Sequence, residues 1–157
     1  MQIADIMTRA VRSTTPSTSL AEVAAMMCLN RLSGLPVVDD QERLIGFIAE
    51  RDILHFLFPR LEDLMDSSAL RDFEQMEQHY GATLDLTVAD VMHKGAVHVT
   101  PEMPLLKATS VMVRHRFRRI PVAGEDGRLV GIVSIGDIHK ALFKHHLLNV
   151  QGARAAA

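Results

Sequence analysis

The chain has 157 residues, with 17 Lys and Arg against 19 Asp and Glu, a net charge of −2. At 48% hydrophobic and 23% charged it has the mix of an ordinary soluble globular protein, and it lacks the basic face that a general nucleic-acid binder needs. Zero Trp, 6 Phe and 1 Tyr leave few platforms for stacking bases. No apolar run approaches the about 18 residues of a membrane span. Met1 to Asp5 has neither the basic nor the apolar region of a signal peptide. The single cysteine, Cys28, forms no internal disulfide, which fits a reducing, cytoplasmic compartment.

Sliding the sequence by 85 residues aligns it with itself without a gap. Residues 4–54 match 89–139 at 15 of 51 positions, the mark of a tandem duplication. Asp5-Ile6-Met7 meets Asp90-Val91-Met92, Thr15-Pro16 meets Thr100-Pro101, and Arg31 meets Arg116. Pro36-Val37 meets Pro121-Val122, Gly46 meets Gly131, and Asp52-Ile53 meets Asp137-Ile138.

In chain order, Ala10 to Thr14 predicts a short strand. Leu20, Val23, Ala24, Met27 and Cys28 follow at the spacing of one apolar helix face. Ser19-x-x-Glu22 is a capping box at its start. Cys28 on that face is expected to be a buried, inert thiol. Leu35 to Val38 reads as a buried strand, Asp39 to Glu42 as a hairpin turn and Leu44 to Ala49 as the returning strand. A helix starts near Arg51. The spacer between the repeats has a helix-favouring run, Ser67 to Tyr80, expected to lie outside the module, with Ser67 or Ser68 as cap. The second copy repeats the order. Ala96 to Val99 is a strand, and Leu105, Ala108, Thr109, Met112 and Val113 form a helix face that starts at Pro104. Ile120 to Ala123 and Leu129 to Ser134 flank a Gly124-Glu-Asp-Gly127 turn, and a last helix starts near Gly136. The fold class is α+β, two βαββα repeats. Repeat 1 spans 1–58, a helical spacer 59–86, repeat 2 87–146, and a frayed tail 147–157. Nine Met on apolar faces are expected to fill gaps in the core.

These marks in this order, occurring twice, resemble a tandem pair of cystathionine-β-synthase (CBS) domains. The resemblance covers about 4–58 and 87–146. It implies two repeats packed sheet to sheet about a pseudo-twofold axis, with two clefts between them and dimerisation into a disc. It also implies a sensor of adenine nucleotides, with S-adenosylmethionine and cyclic dinucleotides as variants.

The family's ribose motif is Gly-hydrophobic-hydrophobic-Ser/Thr-x-x-Asp. Gly131-Ile-Val-Ser134-Ile-Gly-Asp137 fits it fully. By resemblance Asp137 takes the ribose hydroxyls and Ser134 assists. The same spacing also makes Ser134 and Asp137 a helix-capping pair, and the two roles are compatible. Repeat 1 keeps Gly46 and Asp52 but has Ala49 in place of the hydroxyl residue. Nucleotide-sensing members of the family place basic residues five to six, or two to three, positions before the strand proline. Arg116 and His115 match the first placement, Arg119 and Arg118 the second. The alternative is a solvated basic face. Repeat 1 offers Arg31, and Arg51 at a position where the family has a phosphate-binding Lys. The base would lie along Ala96-Val97 and Val11, through backbone contacts.

The eight His show no metal-ligand spacing, so no metal site is expected. No nucleophile elbow or phosphate loop is present, and no catalytic residue or catalytic cofactor is expected. The sequence therefore predicts a non-enzymatic, stand-alone regulatory module. It binds an adenosyl-containing small molecule as regulatory ligand, forms a homodimer, signals to an effector protein, and engages neither nucleic acid nor membrane. The alternative is a ligand-free dimerisation scaffold.

Overall fold

The same succession of elements forms twice in the computed structural model, which describes residues 1–56 and 73–155. The first copy comprises α1 (Leu20–Asn30), β1 (Gly34–Val38), β2 (Leu44–Ala49) and α2 (Glu50–His55). α3 (Phe73–Gln78), α4 (Tyr80–Leu84), α5 (Val88–Val91) and β3 (His93–Lys94) follow. The second copy comprises α6 (Leu105–His115), β4 (Arg119–Ala123), β5 (Leu129–Ser134) and α7 (Ile135–Ala155). Near the N-terminus, Ile3–Asp5 makes a single 3₁₀ turn. The fold is α+β, as the sequence predicts.

Two compact units result: Arg12–Ala96, the first-repeat unit, and Met1–Val11 with Val97–Ala157, the second-repeat unit. Their limits are not those of the sequence repeats, because each repeat's opening arm joins the other copy. In the second-repeat unit, Ile3 and Ala4 N–H donate to the carbonyls of Met103 and Pro101. Ile3 and Met7 enter a core with Val99, Leu105, Ala108, Met112, Ile120, Val122, Val133 and Ile138. In the first-repeat unit, Val88 and Ala89 N–H donate to Thr18 and Pro16, and Leu20 N–H to Leu86. Val88 is buried with Leu20, Val23, Met27, Leu35, Val37, Ile48 and Ile53.

The arm residues have local causes. The Asp5 carboxylate accepts from the Gln2 N–H at 2.8 Å, and Asp90 from the N–H and hydroxyl of Thr87. The Thr87 backbone, then its hydroxyl, holds the Asp90 carboxyl below its ordinary value. That stabilisation is present at neutral pH and is lost as the pH falls through the lowered value. Each arm then crosses the returning strand at a glycine. A Cβ on Gly46 would meet the His93 carbonyl at 2.7 Å, and one on Gly131 the Met7 sulfur at 2.6 Å.

Both hairpins are antiparallel with matching bulges, between Val37 and Val38 and between Val122 and Ala123. Glu42 and Gly127 take the same left-handed turn position, at φ 61° and 78°. The strands predicted over Ala10–Thr14 and Ala96–Val99 shrink to single parallel bridges, Thr14 to Val37 and Val99 to Val122. At each bridge the Thr14 or Val99 N–H donates to the Pro36 or Pro121 carbonyl, and its own carbonyl accepts from Val38 or Ala123.

Other expectations are corrected. The buried helix faces are narrower than their periodicity. Leu20, Val23 and Met27 are buried, but Cys28 is exposed. Leu105, Ala108 and Met112 are buried, but Val113 is 63% exposed. Met27 and Met112 in the same turn are buried, so the buried stripe is narrower than the predicted face, and Cys28 is not a buried thiol. Pro104 sits at the N-cap, and of the Ser19-Glu22 box the Glu22 N–H to Ser19 Oγ bond forms. The spacer does not lie wholly outside: Thr83 is buried, and Tyr80 and Leu84 pack on the first-repeat core. Ser67 and Ser68 lie outside the described residues. α7 runs to Ala155, through the segment expected to fray, because its alanines favour helix. Of the methionines, Met7, Met27 and Met112 fill the cores.

Two stability predictions follow from these contacts. Thr14 is 5% exposed and its hydroxyl is buried without a partner, where the second copy has Val99. An orphaned buried hydroxyl costs roughly 1–3 kcal/mol, so Thr14→Val should raise Tm by about 2–4 °C per kcal/mol recovered. An unchanged or lower Tm in calorimetry would show that the hydroxyl is satisfied. Gly46→Ala, which drives a methyl into backbone, should cost about 1–3 kcal/mol. Gly131→Ala, facing a flexible thioether, should cost less. Chemical denaturation of the two variants ranks them.

Candidate functional site

Both long helices of the repeats end on an arginine in the left-handed region. Arg31 has φ 53° and Arg116 φ 56°. At each end the arginine N–H donates to the residue three back, Cys28 or Val113. The next N–H, of Leu32 or Phe117, donates five back to Met27 or Met112. This is the Schellman closure, whose left-handed position glycine usually fills. A side chain there costs roughly 1–2 kcal/mol. Both copies bear that cost with the same cation.

In the second-repeat unit the chain continues from Arg116 into β4. The β4–β5 register sets Arg119 directly opposite Ser134. The Arg118 carbonyl accepts the Ile135 N–H at 3.0 Å, tying the basic loop to the start of α7. Asp137 Oδ2 accepts from the Ser134 backbone N–H at 3.1 Å and from its hydroxyl. The Asp137 N–H donates back to Ser134 Oγ at 3.1 Å. Ser134 and Asp137 therefore do cap α7. No hydrogen bond or ion pair among the described residues reaches Asp137 Oδ1. Asp137, Ser134 and Arg119 are half-buried, while His115, Arg116 and Arg118 are exposed. The His115 ring stacks on Phe117 at 5.2 Å. Val11 is half-buried in this unit, and Val97 packs against its core.

In the first-repeat unit the backbone is the same and the chemistry is not. Gly34 stands opposite Ala49 where Arg119 stands opposite Ser134. Asp52 Oδ2 accepts the Ala49 N–H at 2.8 Å. Its Oδ1 lies 3.0 Å from His93 Nε2 and 3.8 Å from Arg51 Nε. Arg31 is exposed, and Ala96 closes the unit, half-buried. The sequence reading thus brings Arg118, Arg119, Ser134 and Asp137 to one end of one hairpin, and Arg51 and Asp52 to another. It missed His93, whose only sequence signal is its place directly after Asp-Val-Met.

Among the described residues, no three His, Cys, Asp or Glu side chains are placed to hold a metal. No helix among them is long and apolar enough to cross a membrane.

Two copies of one α+β unit, each with a carboxylate at the head of its closing helix, define a tandem-repeat protein. The sequence profile of the CBS domain matches residues 3–59 and 88–144, and the chain belongs to this family. It is similar to protein MJ1426 of Methanocaldococcus jannaschii, at 33% identity over 136 residues, covering 78% of this chain and 80% of that one. Arabidopsis thaliana CBSX1, a chloroplastic CBS domain-containing protein, is 26% identical over 138 residues, which cover 80% of this chain and 56% of CBSX1. The structure of CBSX2 in complex with AMP matches with a TM-score of 0.71 at 26% identity, covering 92% of this chain and 98% of that one.

Arg116→Gly tests the helix ends. Relief of left-handed strain, less the added freedom of the unfolded chain, should stabilise the protein by roughly 0.5–1 kcal/mol. A destabilised variant in urea denaturation would show that the guanidinium serves the fold.

Proposed function

We propose that the second-repeat unit binds an adenine nucleotide of the AMP, ADP or ATP type, and that the chain is a regulatory sensor and not an enzyme. The observation that carries this reading is the β4–β5 register. A guanidinium at Arg119 and the open oxygen of Asp137 share one strand end. The two lone pairs of Asp137 Oδ1 accept both ribose hydroxyls, with Ser134 beside them. Arg119 and Arg116, aided by Arg118 and His115, meet the phosphate, each charge-assisted bond contributing roughly 1.5–3 kcal/mol. The backbone at Val11 and Val97 meets the base. Arg116 in a conformation that favours glycine supports a selected role for its charge. The AMP complex of the similar CBSX2 favours AMP over S-adenosylmethionine or a cyclic dinucleotide.

Occupancy becomes a signal only as far as the ligand prefers one conformation. The recipient is a dimer mate or an effector protein. Phe143 and Leu147, 59% and 42% exposed one turn apart on α7, support self-association. A reducing, cytoplasmic setting fits the lone thiol. One observation favours a ligand-free scaffold instead: Ser134 and Asp137 already satisfy each other as a cap.

Thermal shift separates the two readings. At 100-fold excess over Kd a ligand stabilises by about 2.7 kcal/mol, or roughly 5–10 °C here. AMP, ADP or ATP should give that shift, and Asp137→Asn should abolish it relative to its own unliganded Tm. No shift above about 1 °C with these, S-adenosylmethionine or cyclic di-AMP would leave the scaffold.

A further inference from the structure

Asp52 is the counterpart of Asp137, yet four matched positions around it differ. His93 and Arg51 stand where the second-repeat unit has Thr8 and Gly136. Gly34 and Ala49 stand where it has Arg119 and Ser134. The first two changes set an imidazole and a guanidinium beside the carboxylate. The second two remove the cation and the hydroxyl that would meet a ligand. With its side chain only 10% exposed, Asp52 has one oxygen on the Ala49 N–H and the other on the His93 imidazole. Both oxygens are engaged from within the unit.

We infer that His93 is an internal ligand that closes the Asp52 carboxylate, so that the chain takes one nucleotide, on the second-repeat unit. This rests on the nucleotide reading above. The His93 backbone is held in place before any ligand arrives, because β3 pairs it with Phe47, and Lys94 with Gly46. A ribose hydroxyl entering at Asp52 must displace the imidazole. It offers one donor in exchange for one already seated at 3.0 Å. Arg51, 3.8 Å from the same oxygen, reinforces the closure. No guanidinium at position 34 compensates on the phosphate side. The position cannot simply acquire one, since a Cβ on Gly34 would meet the Phe47 ring at 2.6 Å.

Calorimetric titration of the full chain with AMP tests this. The wild type should bind one AMP, and Asp137→Asn should lose it. The double variant His93→Thr/Ala49→Ser installs the second-repeat residues at the two tolerant positions. It should bind a second AMP, and that second site should survive addition of Asp137→Asn. In the wild type, the NMR signals of the His93 imidazole should stay in place at saturating AMP. Two AMP on the wild type, movement of the His93 signals, or a single AMP on a folded double variant each overturns the closure. No AMP on the wild type but one on the double variant would keep the closure and remove the Asp137 reading. No AMP on either would remove both.

Discussion

The exchanged arms are the constraint on which the rest depends. A repeat of some 50–60 residues buries too little surface to be secure alone. Here each core is completed by a segment from the other copy: Ile3 and Met7 in one, Val88 in the other. The arms are held mainly by backbone. Each crosses a returning strand at a glycine whose Cβ would strike the arm, and each is capped by its own aspartate. The chain therefore passes between units twice, at Val11–Arg12 and at Ala96–Val97.

This accounts for most of the residues that carry the family resemblance without any ligand. The Asp of Asp-x-Met caps an arm, the strand glycine admits it, and the closing Asp caps a helix. Their recurrence is evidence of fold, and it says little about binding. Evidence of binding has to come from what the fold does not require. An arginine at a left-handed helix end is one such feature, since glycine would close the same Schellman motif with less strain. A partly buried arginine across the ladder from Ser134 is another.

How much was legible in the sequence follows the range of the forces. Hairpins, helix starts and the Ser134–Asp137 pair are local, and proline, Asp-Gly and capping spacings announce them. Periodicity located the helix faces but not how wide each buried stripe is, so Cys28 and Val113, one residue past the buried Met27 and Met112, were expected inside and lie outside. The exchange of arms joins residues about 100 apart, such as Ile3 and Met103, and an 85-residue self-match cannot distinguish an arm that packs on its own copy from one that packs on the other. The bond between His93 and Asp52 depends on that exchange, which is why a residue with no motif of its own became visible only with the fold.

Duplication supplies an internal control on the site. At matched backbone positions the two copies keep the same hairpin turns, bulges and left-handed helix C-caps, so the hairpin ends can be compared residue by residue. Where the copies diverge most, around the two carboxylates, the divergence has a direction. One carboxylate keeps an open oxygen with a cation and a hydroxyl beside it. The other has Gly34 and Ala49 at those positions, and His93 and Arg51 beside its carboxylate. Drift at a site without function would scatter charge in either sense. Groups that satisfy the Asp52 carboxylate from within its own unit make it part of the frame. A half-buried carboxylate left with neither ligand nor partner costs more than one that is paired.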